Sequence, residues 1–241
     1  MKILVGMSGG VDSSVAAALL KEQGHDVTGA FMKTWYPDWL QCDWQTERRD
    51  ALRVVAELGI PFMTIDLEKV YRNSVADYMI SEYKKGRVPN PDVMCNRQVK
   101  FGAFYDEAKK QGFDAIATGH YAQSKQGLMY RGHDTNKDQS YFLWGIQSEV
   151  LQNVLFPVGA FTKEVVREKA EHFGVHTAAK KDSQGVCFLG HIDLPQFLSH
   201  YIDLVPGDLL DKEGNVVGTH QGAEVYTLGQ RHGFHFVKNT P

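Results

Sequence analysis

A chain of 241 residues, 43% hydrophobic and 23% charged, has an ordinary globular composition, which excludes a disordered tail, a collagen-like fibre and a coiled-coil rod. Its 26 basic and 29 acidic residues leave a formal charge of −3, so no global positive field draws it to nucleic acid, and any such contact must come from local patches. No apolar run approaches a bilayer span, and Ser8-Gly9-Gly10 interrupts the opening run too early for a signal peptide. A soluble, cytoplasmic protein with no membrane partner is expected. Three cysteines, Cys42, Cys95 and Cys187, are too few and too widely spaced for a secreted disulfide framework, and none stands in a CxxC pair. In a reducing compartment each is either a small buried hydrophobe or a reactive thiol.

Lys2 to Met7 predicts a first strand, and Ser13 to Gln23 carries Val15, Ala16, Leu19 and Leu20 at helical spacing before stopping at Gly24. His25 to Met32 reads as a second strand, and Glu47 to Leu58 as a second helix closed by Gly59-Ile60-Pro61. Phe62 to Leu67 alternates as a strand and Val70 to Lys85 is helical up to Gly86. After the Pro-rich stretch Val88 to Asp92, a helix is expected from about Arg97 to Gln111, then a buried strand from Asp114 to Thr118 leading into Gly119-His120. An apolar helix is expected from near Ser140, an amphipathic one from Phe161 to Phe173, and a loop from Thr177 to Gly190. Beyond Pro206, turn signals at Pro206-Gly207-Asp208, Glu213-Gly214-Asn215 and His220-Gln221-Gly222 separate short β-like runs.

Strand–helix alternation with short glycine-bearing turns predicts an α/β fold, a doubly wound parallel sheet, over residues 1–200. Residues 201–241 read as the start of a small β-rich second domain with too few strands to close a sheet, as in a fragment. Ligands of such sheets bind beyond the carboxyl ends of the strands, where Ser8-Gly9-Gly10, Met32 and Gly119-His120 fall.

Ser8-Gly9-Gly10-Val11-Asp12-Ser13-Ser14 follows a strand and opens a helix. Its glycines let backbone N–H groups approach an anion, its serines donate, and the helix N-terminus favours negative charge. The loop is neither a Walker A motif nor a dinucleotide turn. Asp12 would repel phosphates unless a cation intervenes, which implies Mg²⁺ between Asp12 and the pyrophosphate portion; the alternative is a plain glycine turn with Asp12 as a cap.

These residues match the loop of the ATP-pyrophosphatase superfamily, whose members split ATP between the α and β phosphates and adenylate a substrate oxygen. Gly6-Met7 through Ser14, Pro89-Asn90-Pro91-Asp92-Val93-Met94-Cys95-Asn96, Lys100-Phe101, Ala117-Thr118-Gly119-His120-Tyr121, Lys137-Asp138-Gln139-Ser140-Tyr141 and Asp182-Ser183-Gln184-Gly185-Val186-Cys187-Phe188 stand in one order along nearly the whole chain. Together they resemble the tRNA-specific 2-thiouridylase family.

The resemblance implies an adenine nucleotide α-hydrolase-like fold and ATP-dependent 2-thiolation of the wobble uridine of tRNA, by adenylation of O2 and sulfur transfer from a cysteine persulfide. It implies that Cys187 carries the persulfide and that Cys95 is its partner in a Cys95–Cys187 disulfide. ATP would be held by Gly6, Met7, Ser8, Gly9, Gly10, Val11, Asp12 and Ser13, with Met32 at the adenine and Gly119 against the nucleotide. Asn90, Pro91 and Asp92 would face the target base, with Asp92 available for acid–base work, and His120, Lys137, Asp138 and Gln139 would touch tRNA. Sulfur would come from a cysteine desulfurase or a sulfur-relay protein. The resemblance also implies a following β-barrel that grips tRNA, with the start of the domain before it at Tyr226-Thr227-Leu228-Gly229-Gln230-Arg231-His232-Gly233.

The residues leave alternatives open. Cys95, Cys187 and Asp92 could instead ligate an iron–sulfur cluster with an open site. The glycine loop alone suits an amide ligase that adenylates a small molecule, or a non-catalytic fragment that binds nucleotide or tRNA. Asn90-Pro91-Asp92 is also a helix-starting turn, and Lys137-Asp138-Gln139 a helix cap. Lys84-Lys85-Arg87, Lys109-Lys110 and Lys180-Lys181 are candidate phosphate contacts or solvated faces. Cys42 lacks a motif around it and reads as incidental.

Overall fold

In β1 (Lys2–Gly6) the side chains of Ile3 and Val5 leave one face and that of Leu4 the other, and all three are fully buried. A strand apolar on both sides belongs in the middle of a sheet covered on both faces. The structure, a computed structural model, describes residues 1–40, 44–181, 187 and 193–237. It places β1 between β2 (Asp26–Lys33) and β4 (Ala115–Ala117), with β3 (Phe62–Asp66) outside β2. A hairpin of β5 (Ala122–Lys125) and β6 (Leu128–Arg131) precedes β7 (Val154–Leu155), which closes the far edge. The five strands run parallel in the order β3-β2-β1-β4-β7, with Val5 beside Gly29 on one side and Ala117 on the other. The order reverses between β1 and β4, and such a switch point opens a crevice at the strands' carboxyl ends.

Each face carries its own core. Ile3, Val5, Phe31 and Ala117 pack under α1 (Val11–Glu22), α2 (Trp44–Leu58) and the helix Lys163–His172. Leu4, Met32 and Ile116 pack under two helices, residues 68–84 and 91–110, that bring Tyr71, Met79, Cys95, Val99 and Phe104. The predicted strands and helices of residues 2–118 and the helix near residue 161 are therefore present, with ends shifted by a few residues.

Both helices of the second face are interrupted by i→i+5 winding, at Arg72–Ala76 and at Cys95–Ala103. Such turns insert one residue into an α-helix and gather at functional sites. The helix expected from about Arg97 begins earlier, at Pro91, because Asn90 caps it: its Oδ1 accepts the Asp92 and Val93 N–H groups at 3.1 Å.

Three expectations change. The helix from near Ser140 is only a 3₁₀ turn, Ser140–Leu143, because Gly145 follows at once with its α-carbon against the Arg97 side chain; Tyr141 and Trp144 stay 70% and 69% exposed. The β5–β6 hairpin has no counterpart in the sequence reading. Its two-residue turn places Gln126 at φ 52 and Gly127 at φ 75, as a type I′ turn requires, without the Asn-Gly signature. The loop predicted from Thr177 begins inside a 3₁₀ turn, His176–Ala179.

The β-like runs after residue 206 form an antiparallel sheet, order β10-β9-β8, from β8 (Gly207–Leu210), β9 (Val216–His220) and β10 (His235–Phe236). Among the described residues no helix is long and apolar enough to cross a membrane.

Candidate nucleotide and thiol site

The crevice is floored by the loop from β1 to α1. Gly9 adopts φ 71, and a β-carbon there would lie 2.5 Å from the Glu47 carbonyl, so only glycine fits. Met7 and Val11 are buried in the core, which leaves the loop backbone to face a ligand. The Ser13 hydroxyl donates to the Gly10 carbonyl at 3.1 Å and accepts the Ser8 N–H at 3.2 Å, and the Ser14 hydroxyl donates to the same carbonyl at 2.8 Å. Gly10 caps α1 with no side-chain acceptor, so the first N–H groups of this 12-residue helix point into the crevice. Met32 lies over the loop, its Cε 2.9 Å from where a β-carbon on Gly6 would stand.

Gly119, at the end of β4, lies against the same turn: a β-carbon there would be 2.6 Å from the Ser13 nitrogen and 2.7 Å from the Asp12 carbonyl carbon. Neither backbone atom can yield locally. Gly119→Ala is expected to destabilise the fold by about 1–3 kcal/mol through overpacking and to weaken ATP binding at least tenfold. Denaturant melts and ATP titration check this, and unchanged ATP affinity would show that the Gly119 contact does not shape the loop.

Asp12 meets a cation of the protein itself. Lys163 Nζ donates to both Asp12 carboxylate oxygens, at 2.7 and 2.9 Å, and the Tyr121 hydroxyl donates to Oδ1 at 2.8 Å. The Lys163 side chain is 8% exposed and that of Asp12 30%. Lys163 opens its helix, and Asp134 fixes it there by accepting the Lys163 N–H at 3.0 Å, a bond that holds the Asp134 carboxyl below the usual range. A carboxylate offers about four lone-pair sites, so one remains on Asp12 for a Mg²⁺ that takes its other ligands from phosphate and water. The residues fit Mg²⁺ on those terms.

The thiols lie on the other side of the crevice. Cys95 Sγ stands 3.3 Å from Cys187 Sγ. Cys187 is gripped at both ends of its peptide unit: its N–H donates to Asp92 Oδ1 at 2.9 Å, and its carbonyl accepts the hydroxyl of the fully buried Tyr71 at 2.7 Å. The Lys100 ammonium hydrogen-bonds the Cys187 sulfur and reaches His120 Nε2 at 3.4 Å. Ammonium only donates, so Nε2 accepts, and the ring carries its proton on Nδ1, donated to Thr118 Oγ1 at 2.6 Å.

Charge follows this geometry. Burial pushes the Cys95 thiol well above its ordinary range. The Cys187 thiol falls to about 7, first through the hydrogen bond from Cys95 and then through the charge and hydrogen bond of Lys100, against the opposing effect of burial. Burial, then the Lys100 charge, keeps His120 neutral.

The sequence-predicted residues separate into groups. Gly6, Ser8, Gly10, Asp12, Ser13, Met32 and Gly119 converge on one loop, and Asp92, Cys95 and Cys187 on one thiol pair. Asn90 and Pro91 start the helix that carries Cys95. His120 bridges the two groups, packed between Phe101 and Phe156. Asp138 Oδ1 accepts the Gly132 N–H at 2.8 Å and Gln139 Oε1 the Tyr121 N–H at 3.0 Å, so both brace the loop that also carries Lys137. Lys180 is spent on the Asp50 carboxylate and the Gly9 carbonyl, and Lys85 and Arg87 on Glu82. Cys42 and the neighbours of Cys187 from residue 182 to 186 and at 188 lie outside the described residues.

Among the described residues no three His, Cys, Asp or Glu side chains converge on a metal. Two sulfurs at hydrogen-bond distance, with Asp92 Oδ1 turned onto the Cys187 N–H, suit thiol–disulfide chemistry. Lys163, Tyr71 and the role of Lys100 escape sequence reasoning. Lys163 sits behind Thr162 at a helix start, and nothing local marks its partner 151 residues away.

Fold and site define an α/β nucleotide-binding domain of the adenine nucleotide α-hydrolase type, with a pyrophosphatase-type loop beside a pair of thiols. Two family models match: "tRNA methyl transferase HUP domain" over residues 1–191 and "tRNA methyl transferase PRC-barrel domain" over residues 195–240. Curated relatives called tRNA-specific 2-thiouridylase MnmA are 51% identical in Akkermansia muciniphila, 49% in Bacillus velezensis and 48% in Listeria monocytogenes, over 96–97% of this chain. The chain belongs to the tRNA-specific 2-thiouridylase family. It spans 64–67% of the length of these relatives. Two solved structures share the fold. A 4-thiouridine synthetase–RNA complex with bound ATP has TM-score 0.51 at 22% identity, over 83% of this chain and 50% of that one. The NMN synthetase of Francisella tularensis has TM-score 0.50 at 20% identity, over 76% and 66%.

Proposed function

We propose that this chain carries out ATP-dependent 2-thiolation of a tRNA wobble uridine in the cytoplasm. One observation supports the reading above the others: two facing thiols are joined to the nucleotide loop by consecutive contacts, Cys187 to Lys100, Lys100 to His120, and Gly119 against Ser13. An amide ligase needs the loop but has no use for the thiols.

The phosphates of ATP lie on the backbone N–H groups of residues 8–13 and the adenine against Met32, with Gly119 closing the floor. Mg²⁺ held by Asp12, when bound, supplies charge neutralisation to the phosphates. Asn90, Pro91 and Asp92 present the uridine, and His120, Lys137, Asp138 and Gln139 line the tRNA side. O2 of the uridine takes the adenylyl group and pyrophosphate leaves. The outer sulfur of a Cys187 persulfide then bonds to C2, and AMP departs with the former O2. Cys95 attacks the Cys187 sulfur, so the electron pair of the broken S–S bond goes to the sulfur on C2. The two thiols end as a Cys95–Cys187 disulfide, which an external thiol reductant reopens. A cysteine desulfurase or relay protein supplies the persulfide sulfur. Residues 1–200 carry this chemistry, and residues 201–241 form a small β-rich unit beside it.

The test is nucleoside mass spectrometry of tRNA incubated with the chain, ATP, Mg²⁺, a thiol reductant and a cysteine desulfurase with its cysteine substrate, which delivers sulfane sulfur as a persulfide. Appearance of 2-thiouridine is expected. Pyrophosphate release without thiolated nucleoside would favour the ligase reading, and neither product would favour a nucleotide- or tRNA-binding fragment.

A further inference from the structure

Lys100 stands five residues after Cys95, and in a regular α-helix that spacing would place the two roughly 140° apart around the axis. Here the i→i+5 winding begins at Cys95 and runs to Ala103, which gathers residues five apart onto one side of the helix. The ammonium thereby reaches the Cys187 sulfur, which Asp92 and Tyr71 hold in place by its own peptide groups. His120, fixed by Thr118, offers Lys100 a neutral acceptor, so the charge of Lys100 stays directed at sulfur. Among the described residues the groups facing the Cys187 thiol are then Cys95, Lys100 and Asp92, with Tyr71 on its carbonyl and His120 behind the ammonium.

We propose that Lys100 is the resident counter-ion of the transferred sulfur, holding Cys187 first as the thiolate that receives sulfur and then as the persulfide anion that delivers it. This deepens the functional reading above and rests on it for the identity of the acceptor. In the first step the Cys187 thiolate attacks the outer sulfur of a donor persulfide, and the electron pair of the broken S–S bond leaves on the donor's thiolate. The departing thiolate takes the proton of the more acidic persulfide, so a negative charge again sits on Cys187, now on an outer sulfur about 2 Å further out, within reach of a flexible four-carbon arm with three donors. Two features of the site agree. The sulfurs and Asp92 keep Lys100 protonated although burial alone would lower its affinity for a proton. The thiol it touches is lowered to about 7, while its partner Cys95 is raised.

The test is the rate of iodoacetamide alkylation at Cys187 against pH, read by peptide mass spectrometry so that each cysteine is scored separately. Wild type, Lys100→Met and Lys100→Arg are compared, with thermal melts to confirm folding and Lys100→Gln as a second neutral variant should Lys100→Met not fold. The wild-type midpoint is expected near 7. Loss of the charge should raise it by one unit or more, so the thiolate fraction at pH 7 falls about fivefold, and Lys100→Arg should restore much of the difference. A folded neutral variant with the wild-type midpoint overturns the proposal. The alkylation readout needs neither ATP nor tRNA. A shifted midpoint in a chain that never thiolates tRNA would sink the functional reading and leave Lys100 as the counter-ion of Cys187.

Discussion

Cys187→Ser is expected to abolish tRNA thiolation while pyrophosphate release on mixing with ATP and tRNA persists. A serine hydroxyl cannot hold a sulfane sulfur, whereas the adenylating loop is built from β1, α1 and Gly119 and owes nothing to the thiol. Cys95→Ser is expected to fail differently. Without the thiol 3.3 Å from Cys187, the step that cleaves the S–S bond to C2 is lost, so tRNA should accumulate as a mixed disulfide on Cys187. That adduct is visible as a protein band on a denaturing gel under non-reducing conditions, and added thiol should release 2-thiouridine from it. Cys95 is fully buried, so a hydroxyl there costs about 1–3 kcal/mol, and Cys95→Ala serves as the control with no polar group. Cys42→Ser is expected to leave transfer intact. Equal loss from all three substitutions would mean that the thiols act as one set and that the division of roles is wrong.

Lys163→Met is expected to cripple ATP binding with little change in the thiols. Removing the ammonium leaves the Asp12 carboxylate uncompensated beside the phosphates. Like charges 4 Å apart repel by about 4 kcal/mol at an effective dielectric of 20, and solvent around a carboxylate that is 30% exposed reduces this to about 1–2 kcal/mol. A loss of about tenfold in ATP affinity follows, with a larger fall in pyrophosphate release if the phosphates are also displaced. In titrations without Mg²⁺, Asp12→Asn combined with Lys163→Met removes the repulsion and should recover most of the affinity. Isothermal titration of ATP into wild type, Lys163→Met and the double variant decides the point. Wild-type affinity in Lys163→Met would show that Asp12 is neutralised by something other than Lys163.

The cation that Asp12 demands illustrates what sequence reasoning reaches. A carboxylate in an anion-binding loop calls for a positive partner by simple electrostatics, and the reading supplied Mg²⁺. The structure leaves a place for that ion but puts Lys163 there first, because Asp134 and Thr162 fix the start of a helix far along the chain. The strands and helices of the sheet were legible because period-2 and period-3.6 patterns end at Gly24, Gly59, Gly86 and Gly112, four glycines that adopt positive φ. The β5–β6 hairpin was not, since Gln126-Gly127 replaces the usual Asn-Gly. Insertion of one residue into the helix of Cys95 was not legible either, for its apolar positions Val99, Phe104 and Ala108 read equally well as a regular helix. The juxtaposition of Cys95 with Cys187 came from likeness to a family, and nothing in the spacing of the two residues implies it.

The two faces of the sheet also divide the labour. The packing that holds the nucleotide loop and Lys163 belongs to one core, and the packing that carries Tyr71, Cys95 and the helix of Lys100 belongs to the other. In the proposed reaction the two halves meet above the carboxyl edge of the strands. In the reaction proposed above, a substitution beneath the second face would therefore disturb the thiols while leaving the packing of the activating loop untouched.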